Sequence, residues 1–291
     1  RSHLIHDYVF ICFFLGNDFL PHIISLELRH EGLEFIMECY IRTYTLMRHT
    51  IVQDNGSINM EVLLEFIKEL YLQEDERIKA IFSKRVKLQK FFKIKHMDTD
   101  YDNDIELLNN YPIITMKNEF NITKPNLYIN DWRKRYYNEL FHIPYYTKPE
   151  YYHLNSNKLT DVSKNYIEGL LWTYHYYFKR CICWSWTYRY DHAPTLKDIY
   201  HQLIAIKNIN NISFKNDRAV PSIVQLFSIM PKESVDLLPS HYKKYMLESK
   251  YKLNHLYPDT YELDTIFKRY YWQCSPKLPP MNIPLIKRVI L

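Results

Sequence analysis

Residues 166–179 read YIEGLLWTYHYYFK and place bulky apolar or aromatic side chains on nearly every face of a helix. A helix of this kind is typically buried or lies at a junction between parts of a protein. Aromatic residues make up 16% of the sequence, with 27 Tyr and 5 Trp, so aromatic packing is the main material of the core. The stretch therefore predicts a central helix in an aromatic-rich core.

On its carboxyl side, this helix leads into an aromatic block. Residues 183–190 read CWSWTYRY, and residues 191–194, DHAP, end the block at a proline. Beyond it, Pro221, Pro231, Pro239 and Pro258 punctuate the chain. The predicted later elements are an Asn-rich loop at 207–217 and short helices at 223–230, 240–247 and 285–290.

On its amino side, the apolar spacing is helical in several segments. Residues 32–47 have this spacing, and Val62, Leu63, Phe66, Ile67 and Leu70 form one stripe that Ser57 or Asn59 can cap. The remaining predicted elements are helices at 77–92 and 131–141, loops at 98–110 and 147–161, and irregular chain at 111–130. Residues 8–15 are apolar all round, which fits a buried strand or a buried helix. The sequence is therefore predicted to be mostly α.

Composition excludes several functional classes. Only 4 Gly occur in 291 residues, and neither GxGxxG nor GxxxxGK[ST] is present, which argues against dinucleotide and P-loop sites. The five Cys include no CxxC pair, so we expect reduced thiols in an intracellular protein. The longest apolar run is too short to cross a bilayer, so no membrane association is predicted. A net charge of +5 permits a nucleic-acid partner without requiring one.

Three separated stretches resemble the Xrn/Rat-type 5′→3′ exoribonucleases, in the order of that family. They are DYVFICFFLGNDFLPHIISLELRHEGLEFI at 7–36, YIEGLLWTYHYYFKRCICWSWTYRYDHAPTLKDI at 166–199, and PSIVQLFSIMPKESVDLLPSHYKKYM at 221–246, continuing to YPDTYELDTIF and Trp272. DWRKRYYNELF, at 131–141, also resembles a helix of this family. The chain departs from the family at Asp191 and His192, where family members usually have His and then Tyr.

The resemblance implies a fold and a domain organisation. Residues 1–50 are expected to be the C-terminal edge of a PIN/FEN-like α/β nuclease domain, with residues 8–15 in a helix. Residues 51–291 are expected to form a multi-helix domain with loops near 98–130 and 207–217. The chain opens with Arg1 rather than Met and enters a hydrophobic element at once, so we expect an upstream segment.

The resemblance also implies an activity. Family members hydrolyse single-stranded RNA with a 5′-monophosphate processively to mononucleotides, using two Mg²⁺ or Mn²⁺ ions held by several carboxylates. Asp18 in GNDFLPH is then a catalytic, metal-binding residue, and the other carboxylates lie upstream, so the isolated chain is expected to be inactive. From the residues alone, Asp18 is more readily interpreted as a capping residue in an Asn-Asp turn, and the resemblance reverses that preference. Asp7 could orient a metal-binding carboxylate, or simply be an acid near a helix N-terminus.

Four further residues are candidates for RNA binding. Trp184 and Trp186 could stack on the 5′-terminal base, and the sequence does not decide which of them does so. Arg189 could reach a phosphate or stack as a cation, and His22 could contact substrate. The alternative roles are core packing for either Trp, a solvated Arg189 and a structural His22.

A second hypothesis is a non-catalytic helical module that binds RNA or protein. Such a module would keep the aromatic block and dispense with metal ions. The sequence predicts neither an oligomeric state nor a choice between cytoplasm and nucleus.

Overall fold

The computed structural model describes residues 2–95, 122, 131–145, 157–268 and 270–291. These residues are mostly helical, which confirms the predicted class. The α-helices are α1 (Ser2–Cys12), α2 (Gly32–Met47), α3 (Met60–Leu72), α4 (Glu74–Lys95), α5 (Trp132–Phe141), α6 (Asn157–Phe178), α7 (Leu196–Ile206), α8 (Ser222–Ile229), α9 (Ser240–Leu247) and α10 (Ile283–Ile290). Two short strands, β1 (Glu262–Asp264) and β2 (Ser275–Lys277), pair antiparallel.

The chain divides into two compact units, and the first contains α1 to α7. Its core is aromatic: Phe14 at the exit of α1 makes an edge contact with Phe66 of α3, with ring centroids 6.2 Å apart, and a tilted contact with Tyr166 of α6 at 6.4 Å. Helix α3 packs against α2 and α7, and α6 also packs against α7. Residues 166–174 of α6 are almost entirely buried, as the opening stretch predicts.

The second unit includes residues 218–291, of which all but residue 269 are described, and this part has a core of its own. Phe227 of α8, Met246 of α9 and Ile286 of α10 are completely buried in it. The hydroxyl of Tyr257 donates a hydrogen bond of 2.7 Å to the carbonyl of Phe227, so the end of α8 is tied to the following loops. The structure confirms the predicted short helices at 223–230, 240–247 and 285–290, within two residues at the start and one at the end.

One predicted loop is partly wrong, one pair of strands was not predicted, and one predicted loop lies almost entirely outside the described residues. The loop predicted at 147–161 is wrong at its end, because α6 begins at Asn157 and buries Leu159 and Val162. The pairing of β1 with β2 was not predicted, because strands of three residues are too short for an alternating pattern. The predicted loop near 98–130 lies outside the described residues, apart from Ile122. The domain boundary at residue 50 stays a prediction.

Candidate functional site

Asp18 lies at the tip of a tight turn that follows α1. The side-chain oxygen of Asn17 accepts hydrogen bonds from the backbone N–H of Phe19 at 2.9 Å and of Leu20 at 3.0 Å. The N–H of Asn17 donates in turn to the carbonyl of Leu20 at 3.0 Å. Asp18 is exposed. The turn is therefore held by hydrogen bonds of the residues on both sides of Asp18. The carboxylate of Asp18 is left accessible to solvent or to a ligand.

Gly16 and His22 form the base of this turn. Gly16 has a φ of 92°, a conformation that favours glycine, and a Cβ added there would lie 3.0 Å from the backbone N of His22. His22 is half-buried. The next residue, Ile23, donates its N–H to the carbonyl of Phe14 at 3.0 Å. The chain therefore returns to the segment that follows α1. This return places His22 against Gly16, where the turn begins.

A two-ion centre needs several carboxylates, and the described residues do not supply them. In the part of the chain that the structure describes, no three His, Cys, Asp or Glu side chains come close enough together to hold a metal ion. Asp18 can offer one carboxylate ligand of the hard-oxygen type that Mg²⁺ and Mn²⁺ accept. These residues alone therefore do not fit a pair of divalent ions.

The residue after Asp18 connects the turn to the aromatic helix α6. The Phe19 ring makes edge contacts with Trp172 and Tyr176, with centroids 4.9 and 5.0 Å away. Trp172 stacks on Tyr176 at 5.3 Å and on Trp186 at 5.1 Å. The structure thus brings the GNDFLPH stretch and the WSW block together, although they are far apart in sequence.

The two tryptophans of the WSW block have different environments. Trp186 is half-buried and packs so closely on α6 that a Cβ added to Gly169 would lie 2.8 Å from its Cη2 atom. The same Cβ would lie 2.5 Å from Cδ2 of Leu20, so Gly169 makes room for both side chains. Trp184, in contrast, is 56% exposed. The structure therefore separates a packed Trp186 from an accessible Trp184, a distinction that the sequence leaves open.

The main chain around Trp184 is held from two sides. Trp172 donates its indole N–H to the carbonyl of Cys183 at 2.8 Å. On the other side, the carboxylate of Asp217 accepts the N–H of Trp184 at 2.5 Å and that of Ser185 at 3.0 Å. The Ser185 hydroxyl also donates to this carboxylate. These hydrogen bonds, the Ser185 hydroxyl first, lower the pKa of Asp217 below its ordinary value.

Arg189 is exposed at the far end of the aromatic block and is tethered to α6. Its backbone N–H and its Nε both donate to the side-chain oxygen of Asn165, at 3.0 and 3.3 Å. The guanidinium group is therefore oriented by one of its donors, and its other N–H groups remain suited to an anion such as a phosphate.

The segment that ends the aromatic block is fixed by a buried polar network. Tyr136 of α5 donates its hydroxyl to the carbonyl of Ala193 at 2.7 Å. Glu74, at the start of α4, accepts the N–H of Leu196 at 2.8 Å and pairs with Arg133 of α5 at 2.5 Å. Glu74 is completely buried and Arg133 is nearly so. Helix α5 therefore anchors the end of the block.

Asp7 is a buried cross-link within the first unit. It accepts hydrogen bonds from the Tyr40 hydroxyl at 2.5 Å and from the backbone N–H groups of Ile51 at 2.8 Å and Val52 at 2.7 Å. Burial raises the pKa of Asp7, and the three donated hydrogen bonds oppose that rise. Its carboxylate joins α1 to α2 and to the chain before α3, a structural role that explains its burial.

The sequence of this chain matches one protein-family model over almost its whole length. The model describes the Xrn1 helical domain and matches residues 2–126 and 117–286. The chain belongs to the Xrn1 helical domain family. The resemblance is thereby confirmed, and the contacts of Phe19 with Trp172 and Tyr176 join two of the stretches that carried it.

Known 5′-3′ exoribonucleases are similar to this Xrn1-type chain. "5'-3' exoribonuclease 2" of Arabidopsis thaliana is 26% identical over 95% of this chain and 33% of its own length. The homologue of that enzyme in Drosophila melanogaster is 24% identical over 94% of this chain and 33% of its own length. "5'-3' exoribonuclease 1" of Homo sapiens is 23% identical over 95% of this chain and 17% of its own length. The Xrn1-type chain therefore spans about a third or less of these relatives.

A helix that crosses a bilayer must be long and continuously apolar. Within the described ranges, no helix combines the length and the apolar character needed to cross a membrane.

Sequence reasoning missed three positioning residues of this site. Asp217 contacts residues 33 and 32 positions earlier, Glu74 accepts from Leu196 at a separation of 122, and Asn165 contacts Arg189 at a separation of 24. Local spacing carries no signal for such pairs. Glu74 carried no signal either, because helix α4 begins three residues before the predicted start at residue 77.

Proposed function

We propose that this chain is part of a metal-dependent 5′→3′ exoribonuclease that hydrolyses 5′-monophosphorylated RNA processively to mononucleotides. Membership of the Xrn1 helical domain family and the names of the relatives support this activity. The single observation that carries the proposal is the exposed carboxylate of Asp18, in a hydrogen-bonded turn whose next residue, Phe19, contacts Trp172, the ring on which Trp186 stacks. This connection supports the pairing of a candidate metal ligand with a candidate base-stacking surface.

In this proposal, Asp18 is a catalytic residue that supplies one ligand to Mg²⁺ or Mn²⁺. The remaining carboxylates come from an upstream nuclease segment, and residues 1–50 form the C-terminal edge of its PIN/FEN-like domain. Asp18 and those upstream carboxylates would together hold the ions, which would supply the Lewis acidity that phosphodiester hydrolysis requires. The turn contributes by holding the backbone of Asp18 in advance, so that little conformational entropy is lost when a ligand binds.

RNA is proposed to lie along the surface that follows Asp18. Trp184 offers an accessible indole for the 5′-terminal base, whereas Trp186 is held in the fold through its stack on Trp172. Arg189 is proposed to contact a phosphate, and the hydrogen bond from its Nε to Asn165 supports this role by orienting the guanidinium group. His22, at the base of the Asp18 turn, is the third proposed RNA contact.

Two measurements test this function. The chain joined to its upstream segment is expected to degrade 5′-monophosphorylated RNA in Mg²⁺ or Mn²⁺, and Asp18→Asn is expected to reduce the rate by about a thousandfold or more. Asp161→Asn is the matched control, since it removes an exposed carboxylate from α6 in the same unit. The isolated 291-residue chain is expected to be inactive.

Two results would contradict the proposal. Full activity in the Asp18→Asn protein would exclude Asp18 as a metal ligand. Complete inactivity of the protein with its upstream segment, combined with retained RNA binding, would favour the non-catalytic helical module instead.

A further inference from the structure

Asp217 is connected to the Trp184 segment by hydrogen bonds that use both of its oxygens. One oxygen, Oδ1, accepts the N–H of Trp184 at 2.5 Å. The other, Oδ2, accepts the N–H of Ser185 at 3.0 Å, the Ser185 hydroxyl, and the thiol of Cys183 at 3.5 Å. One side chain thus holds three consecutive residues of the aromatic block from a position more than thirty residues later.

The orientation of Trp184 depends on this main chain. Its side chain is 56% exposed, so packing contributes much less to its position than it does for Trp186, which stacks on Trp172. The direction of an exposed side chain follows from its backbone and its rotamer. Because Asp217 and the indole of Trp172 hold the backbone of 183–185 from opposite sides, they determine where the Trp184 indole projects.

We infer that Asp217 is a positioning residue for RNA binding, whose carboxylate holds residues 183–185 so that the Trp184 indole is presented to a nucleobase. This inference rests on the proposed function, because it requires Trp184 to stack on RNA. Asp217 acts through Trp184 and does not itself contact RNA. The negative charge of Asp217 by itself opposes RNA binding, because it repels the phosphates. The proposed benefit therefore comes from the hydrogen bonds of the carboxylate and not from its charge.

A carboxylate is needed because its two oxygens accept from different backbone groups. In Asp217→Asn, one oxygen is replaced by an NH₂ group, which faces an N–H donor and cannot accept from it. At least one of the two backbone hydrogen bonds, to Trp184 or to Ser185, is therefore lost. Ser185→Ala removes only the hydroxyl contact and leaves both backbone hydrogen bonds, so its effect is expected to be smaller.

Whether Asp217→Asn weakens or strengthens RNA binding distinguishes a positioning role from a purely electrostatic one. Removing a negative charge raises the net charge of the protein and by itself strengthens RNA binding. Asp161→Asn makes the same charge change at an exposed site of the same unit and is expected to leave the affinity unchanged or slightly raised. Asp217→Asn is instead expected to weaken binding by about three- to tenfold, the loss that one hydrogen bond produces.

The experiment is a double-mutant cycle on the 291-residue chain. Fluorescence anisotropy measures its affinity for a short, 5′-monophosphorylated, labelled oligouridylate, and circular dichroism measures the melting temperature of every variant. Trp184→Ala is expected to weaken binding by about 5- to 100-fold, the range for one stacked base. If Asp217 acts through Trp184, Asp217→Asn changes the affinity of the Trp184→Ala protein by less than about twofold.

Each outcome of the cycle has a distinct meaning. An Asp217→Asn loss that disappears in the Trp184→Ala protein supports the inference. An equal loss in both backgrounds, or no loss at all while Trp184→Ala weakens binding, overturns the inference and leaves the proposed function standing. If the unchanged chain binds no RNA, or Trp184→Ala has full affinity, the proposed role of Trp184 fails and the inference fails with it.

Discussion

Asp7 and Asp18 are carboxylates of one short segment, α1 and the turn after it, and their environments are opposite. Asp7 is completely buried and accepts from Tyr40, Ile51 and Val52, so all its hydrogen-bonding capacity serves the fold. Asp18 is exposed, and its turn is held by Asn17 instead. A carboxylate whose neighbours hold the backbone keeps its oxygens available for a ligand. The contrast distinguishes a structural acid from a candidate catalytic one.

The largest expected effect is on the buried carboxylate. Asp7→Ala leaves the Tyr40 hydroxyl and two backbone N–H groups without their acceptor, and we expect the free energy of unfolding to fall by about 3–5 kcal/mol. Chemical denaturation of the 291-residue chain measures this loss. A loss below about 1 kcal/mol would show that water replaces the carboxylate easily, and the contrast with Asp18 would break down.

The next largest effect concerns a second pair of packed and exposed side chains, Trp186 and Trp184 of the aromatic block. Trp186→Ala removes a ring that packs on Trp172 and Gly169, and we expect it to destabilise the protein by about 2–4 kcal/mol. Trp184→Ala is the matched variant, and its exposed ring predicts a change within about 0.5 kcal/mol. Thermal or chemical unfolding of both variants provides the comparison, and equal losses would contradict the assigned environments.

An intermediate effect is expected at the base of the Asp18 turn. Gly16→Ala forces a side chain into a left-handed conformation and against the backbone N of His22, which is expected to cost about 1–2 kcal/mol of stability. Because the turn then shifts, nuclease activity with the upstream segment should fall by more than the stability loss explains. Unchanged activity would indicate that the position of Asp18 is not critical.

The smallest expected effect on stability is at Asp18 itself. Asp18→Asn alters an exposed side chain in a turn held by Asn17, so the free energy of unfolding is expected to change by no more than about 0.5 kcal/mol. Chemical denaturation under the conditions used for Asp7→Ala measures it. A large loss would mean that Asp18, like Asp7, serves the fold.

The helices could be predicted wherever one face carries a regular apolar stripe. Helix α2 begins and ends at the predicted residues, and α3 is capped by Asn59, whose side chain accepts from Glu61 and Val62 at 3.1 and 3.3 Å. The segment at 8–15 had no such stripe, so its apolar pattern did not distinguish a strand from a helix. Only the family resemblance favoured a helix, and the structure has α1 up to Cys12 followed by a 3-10 turn at Phe13–Leu15. The pair β1 and β2 carried no pattern to detect.

The candidate site could be predicted only in its local parts. The sequence GND followed by LP indicates a turn that exposes its central acid, and the Asn17 hydrogen bonds are of that local kind. The partners of Asp7 and Asp217 could not be predicted, because they lie 33 to 45 and 32 to 34 residues away and depend on how helices pack. The burial of Trp186 likewise depends on the absence of a side chain at Gly169.

The most direct measurement is a crystal structure of the chain with its upstream segment, grown in Mn²⁺ with data collected for anomalous scattering. If Asp18 is a metal ligand, we expect a manganese peak about 2 Å from one of its carboxylate oxygens, in a cleft open towards Trp184. Manganese held by other carboxylates, with Asp18 turned away from the cleft, would contradict it.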